Sequence, residues 1–207
     1  VIGTGVDIIE NSRINLSTGF LEYKNLFPKR SRVVLKYIWD ELKKSTMDQE
    51  SKHFIENVFL SIIPLSKYKD YRSKSQDLHC PPVMLREANI LNAFIKQFKK
   101  RKKTLFDYNI SNFDGLVFGH DDYRRFLSSI EPQSLNLIIT DPPWNDGNAY
   151  FERAQLYHPW IGYDLKVDDD RLQNEMIVTD SPERPGKRKK EQWWSDINDL
   201  FSTFIFS

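Results

Sequence analysis

Residues 135–144 constrain this chain more than any other stretch. Leu135, Leu137, Ile138 and Ile139, interrupted only by Asn136, run into Thr140, Asp141, Pro142, Pro143 and Trp144. A short apolar run closed by breaker residues reads as a buried strand. The tandem prolines end it, because neither has an N–H for a sheet ladder and each holds φ at about −65°. The turn that follows is stiff, with an aspartate at its entrance and a tryptophan at its exit. The plainest reading is a strand-ending turn in which Pro142 and Pro143 only stop the sheet.

The strand and its Asp-Pro-Pro-Trp turn resemble the catalytic motif of S-adenosylmethionine-dependent amino-methyltransferases. Those enzymes methylate an exocyclic nitrogen of adenine or cytosine. The resemblance implies roles for Asp141, Pro142, Pro143 and Trp144. An exocyclic amine is a poor nucleophile because its lone pair is conjugated into the ring, and hydrogen-bond acceptors aimed at its N–H bonds favour the pyramidal nitrogen that attacks the methyl group. Catalysis of this kind is positioning and electrostatic preorganisation. The Asp141 side chain and the Pro142 carbonyl are the expected acceptors, and Pro143 stiffens the turn. Trp144 is expected to stack on a base that has left the duplex, a contact worth about 1–3 kcal/mol. Asp141 favours adenine N6 as the target over cytosine N4, and the same turn also occurs in RNA adenine methyltransferases.

The flanking sequence extends the resemblance to a branch of bacterial DNA methylases. Residues 113–118 read as a short strand followed by Gly119, His120, Asp121 and Asp122, with a helix beginning near Tyr123. Asp121 or Asp122 suits its N-cap. In the family the acidic turn lies near the cofactor's adenine, so Gly119 and Asp121, with Asp141, are the implied cofactor-binding residues. Downstream, Asn145 and Tyr150 lie on the path from the catalytic turn into an aromatic helix around residues 153–161, and both are candidate substrate contacts. Residues 177–182 and the tryptophan-bearing stretch 189–194 resemble later parts of the same branch, as Arg13, Ile14, Asn15, Gly19 and Phe20 resemble its linker.

One family element has no good copy. The Phe-x-Gly-x-Gly loop that wraps the methionine end of the cofactor is absent, and the Gly-x-Gly at Gly3, Thr4 and Gly5 has almost nothing before it to form the required strand. A lone Gly-x-Gly is a weak signal. Residues 201–206 continue an apolar helical pattern to the end. Together these features lead us to expect part of a larger enzyme, or a remnant that keeps the base pocket and acts as a non-catalytic nucleic-acid-binding module.

Composition narrows the remaining classes. The net charge of +1 does not announce nucleic-acid binding, but two basic clusters do so locally. Lys99, Lys100, Arg101, Lys102 and Lys103 form one, and Lys187, Arg188, Lys189 and Lys190 the other. Lys100, Arg101, Lys187 and Arg188 are the candidate phosphate contacts, with a solvated linker as the alternative. The single cysteine excludes an internal disulfide and a multi-cysteine zinc site, and four scattered histidines offer no metal site. No apolar run is long enough to cross a membrane, and a reducing cytoplasm is the expected compartment.

The reading divides the chain into a mainly helical region, 1–104, and a catalytic half, 105–207. The expected fold class is α/β, a partial Rossmann-like methyltransferase with a helical insertion or N-terminal helical region. Helices are expected over 33–44, over 53–63 with Pro64 as terminator, and over about 83–103, where Arg86, Glu87 and Asn89 would lie on the first turns. Residues 66–77 read as a polar linker. The expected partners are DNA and S-adenosylmethionine.

Overall fold

The computed structural model describes residues 4–16, 19–70, 85–108, 123–141, 153–162 and 189–206. The chain divides into two compact units, Val1–Asn109 with Tyr150–Asp168, and Ile110–Ala149 with Asp169–Ser207.

The first unit opens on α1, Gly5–Asn11, whose start is capped in both directions. Thr4 Oγ1 accepts from the Asp7 amide at 3.3 Å, and Asp7 accepts from the Thr4 amide at 3.2 Å. This is the reciprocal capping box, which satisfies donors a helix start leaves free. A short antiparallel ribbon follows, β1 (Arg13–Leu16) on β2 (Gly19–Glu22), with Arg13 opposite Glu22 and Leu16 opposite Gly19. A 3-10 turn over Tyr23–Leu26 leads to the two long helices.

Helix α2 (Lys29–Lys44) buries Leu35, Trp39 and Leu42, spaced four and three residues apart along one face. Val33 and Tyr37 stay exposed on another. Lys43 and Lys44 end it, where cations complement the helix dipole. Helix α3 (Gln49–Ser66) starts at Asp48, whose side chain accepts from the Ser51 amide at 2.9 Å. That hydrogen bond holds the Asp48 carboxyl below the usual aspartate range. Pro64 does not end the helix. It sits in the last turn, where its missing N–H forfeits a single hydrogen bond, and the helix runs on to Ser66.

Lys69–Asp70 (β3) pairs antiparallel with Leu85–Arg86 (β4). Helix α4 therefore begins later than its amphipathic pattern suggests, at Ile90, and extends to Tyr108. Asn89 caps it, accepting from the Asn92 amide at 3.0 Å. Of the residues expected on its first turns, Arg86 belongs to β4 and Glu87 is exposed.

Helices α1 to α4 close on one core with α6 (His158–Ile161), which returns from far along the chain. Trp39, Phe59 and Trp160 meet as a triangle of rings with centroids 5.1, 5.3 and 4.8 Å apart. Such pairs add about 0.5–1.5 kcal/mol each beyond the area they bury. Trp160 is locked by Tyr23. The Tyr23 hydroxyl accepts from Trp160 Nε1 at 2.7 Å and donates to the Leu156 carbonyl at 2.5 Å. Both tyrosine and tryptophan are fully buried, so these bonds satisfy groups that water does not reach.

The second unit is described over α5 (Tyr123–Ser128), the turn that follows it, residues 135–141, and α7 (Lys190–Phe206). Helices α5 and α7 pack together, burying Leu127, Ile197 and Leu200. The turn after α5 falls where Glu131, Pro132, Gln133 and Ser134 predict it. Ser134 N donates to Glu131 O at 3.2 Å, and Gln133 sits at φ 62, a left-handed conformation that few side chains adopt readily.

The α/β Rossmann-like expectation is overturned. The described residues are mainly helical, and their strands form only two short antiparallel ribbons with no parallel sheet. Over residues 135–141 the apolar run read as a buried strand belongs to no strand among the described residues, and the chain bends at Asn136. Leu137 is 75% exposed and Ile139 87%. The run has the composition of a parallel strand, yet such a strand is stable only between neighbouring strands and under helices on both faces. Here the helices bury their apolar faces on one another, leaving that run without a sheet among the described residues. The strand expected over 113–118 lies outside the described residues.

Candidate functional site

Asp141 is the last described residue before Pro142, Pro143 and Trp144. It is exposed, and it ends a non-helical segment, 135–141, in which every residue is exposed. The segment follows the turn at Gln133, where the chain has left α5. The carboxylate is therefore open to a ligand rather than committed to the interior. Pro142, Pro143, Trp144, Asn145 and Tyr150 lie outside the described residues, as do Gly119, Asp121, Lys187 and Arg188.

The other described candidates, Lys100 and Arg101, belong to the first unit. Both are exposed on α4. They line a groove of ≈ 400 Å³ between α3 and α4, within the range of small-ligand clefts. Phe54, Asn57, Gln97, Thr104 and Leu105 complete its lining. Phe54 meets Phe98 edge-on with centroids 5.7 Å apart, which holds the two helices together beside the groove. Thr104 Oγ1 donates to the Lys100 carbonyl at 3.1 Å, and Asn57 Nδ2 donates to the His53 carbonyl at 3.0 Å. The nearby Glu56 is engaged elsewhere, 2.6 Å from Lys43 Nζ.

Sequence reading marked the cations of this groove but missed Phe54, Asn57, Gln97 and Thr104. Their signal was present in the spacing. Gln97, Lys100, Arg101 and Thr104 recur at helical intervals on one side of α4, and Phe54 and Asn57 do so on α3. What spacing does not reveal is that the two sides face each other.

Of the Gly-x-Gly at the start, Gly3 lies outside the described residues. Gly5 serves helix packing. A Cβ there would stand 2.9 Å from the Lys36 Cα, and the Gly5 amide donates to Asp40 Oδ1 at 2.8 Å. Its lack of a side chain thus lets α1 lie against α2. Among the described residues no group of three metal-ligating side chains occurs, and no helix is long and apolar enough to cross a membrane.

No protein-family model, curated protein or solved structure matches this chain.

Proposed function

We propose that this chain acts in methylation of adenine N6 in DNA, with S-adenosylmethionine as methyl donor. The observation that carries the reading is the Asp141, Pro142, Pro143, Trp144 sequence, entered from a non-helical segment in which Asp141 is exposed. An accessible carboxylate at the head of a doubly proline-stiffened turn suits an acceptor for the N–H bonds of an exocyclic amine. Trp144, three residues on, supplies the ring on which a flipped base stacks. The contribution of this chain is thus on the base side: it orients the amine and holds the base.

Transfer of labelled methyl from S-adenosylmethionine to mixed-sequence DNA tests the reading, with an RNA of the same sequence in parallel. Methylation of adenine in DNA, lost in Asp141→Ala while far-UV circular dichroism is unchanged, is the expected result. Full activity in Asp141→Ala would remove Asp141 from the reaction. A folded chain that neither binds S-adenosylmethionine by calorimetry nor transfers methyl groups would overturn the enzymatic reading. In its place would stand the second reading, a non-catalytic nucleic-acid-binding module, which the exposed cations of α4 favour.

A further inference from the structure

The α4 segment carries six cations, Lys96, Lys99, Lys100, Arg101, Lys102 and Lys103, against one acid, Asp107. The five consecutive cations at 99–103 are all exposed, and none of the six has a carboxylate partner among the described residues. A run of this kind on a lone helix is ordinarily a solvated face. Two features distinguish this one. First, Lys100 and Arg101 border a groove whose lining among the described residues includes no acidic side chain. Second, the groove pairs those cations with aromatic and aliphatic surface from Phe54 and Leu105 and with the polar side chains Asn57, Gln97 and Thr104.

We propose that the groove between α3 and α4 binds a single strand of nucleic acid through its backbone. Lys100 and Arg101 contact phosphates, and Phe54 and Leu105 offer the apolar surface against which a base or sugar lies. The chemistry selects this occupant over an acidic peptide. A phosphodiester strand alternates a compact anion with a flat, apolar-faced ring at short intervals, which is the combination of surfaces that single-strand grooves present. Arg101 adds a planar fork of donors that matches phosphate oxygens. Lys99 and Lys103, exposed one helical turn apart, extend the positive field along the strand. This inference shares a nucleic-acid partner with the methylation reading but does not rest on methyl transfer.

Fluorescence anisotropy of a labelled mixed-sequence single strand, titrated with the full chain between about 50 and 200 mM salt, tests it. S-adenosylmethionine is left out, so the result is independent of the Asp141 chemistry. Lys100→Glu/Arg101→Glu is expected to weaken binding at least tenfold. The milder Lys100→Gln/Arg101→Gln is expected to lower the salt slope by about 1.4, since each phosphate contact on a single strand contributes about 0.7. Lys29→Glu/Arg30→Glu, at an exposed pair on α2, makes the same change in net charge away from the groove and is expected to leave the affinity within twofold. The inference is overturned by any of three results: no binding by the wild-type chain, equal loss in the α2 control, or binding unaltered by the groove variants. Competition by polyglutamate as effective as by unlabelled strand would likewise overturn it.

Discussion

Tyr23→Phe removes one oxygen atom and tests how the first unit closes. The hydroxyl bridges two buried groups, the Trp160 indole N–H at 2.7 Å and the Leu156 carbonyl at 2.5 Å, both more than 130 positions away in sequence. Without it, each partner keeps its desolvation cost and loses its hydrogen bond, which amounts to about 1–3 kcal/mol per group. Part is recovered because the variant no longer buries a hydroxyl, so a net loss of about 2–4 kcal/mol is expected. With a urea dependence of about 2 kcal/mol per molar, that loss moves the denaturation midpoint down by about 1–2 M at unchanged slope. Tryptophan fluorescence is a direct probe, since Trp160 and Trp39 share the same ring cluster.

The pH dependence provides a second readout. Burial pushes the Tyr23 phenol well above the ordinary tyrosine range, so the folded chain keeps its proton where the unfolded chain releases it. The hydroxyl's contribution is therefore complete below pH about 10 and declines above it, at up to about 1.4 kcal/mol per pH unit. Tyr157, also raised by burial, acts in the same direction and persists in the variant. The gap between wild type and Tyr23→Phe is thus expected to narrow as pH rises past 10. A loss below about 0.5 kcal/mol at pH 7, or a gap independent of pH, would refute the buried bridge and with it the docking of α6.

Two further substitutions separate competing accounts of particular residues. Ile139→Lys, at a side chain 87% exposed, is expected to change stability by no more than about 0.5 kcal/mol in urea denaturation. A loss of several kcal/mol would reinstate a buried strand. Gly5→Ala places a Cβ against the Lys36 backbone and is expected to cost about 1–3 kcal/mol, as overpacking does. A neutral or stabilising change would show that the α1–α2 approach is looser than 2.9 Å.

Local patterns in the sequence carried much of the helical framework. The faces of α2 and α3 are legible from the spacing of Leu35, Trp39 and Leu42 and of Phe59, Ile62 and Ile63. The turn at residues 131–134 follows from Pro132 and its polar neighbours. Errors arose where a local signal competes with a distant partner. The amphipathic pattern beginning near Val83 was compatible with helix, but Leu85–Arg86 pairs with Lys69–Asp70 instead, a choice made by residues about sixteen positions away. Pro64 read as a terminator because proline cannot donate, yet in a final turn that lost donor matters little.

The apolar run at 135–139 shows the same limit at the scale of the fold. Its composition and the prolines behind it predict a buried strand ending at Asp141, and the segment is exposed and in no sheet among the described residues. Whether it becomes a sheet strand depends on neighbours that hydrogen-bond to its edges and cover its faces, and no property of those residues supplies them. The candidate chemistry at Asp141, Pro142, Pro143 and Trp144 was likewise a matter of residue type and order, which sequence states in full. Tertiary structure decided which surfaces meet: Trp160 between Trp39 and Phe59, Tyr23 under Trp160, and the cations of α4 beside Phe54. Those contacts join positions far apart in the chain, and burial is a property of the assembled pair rather than of either sequence segment.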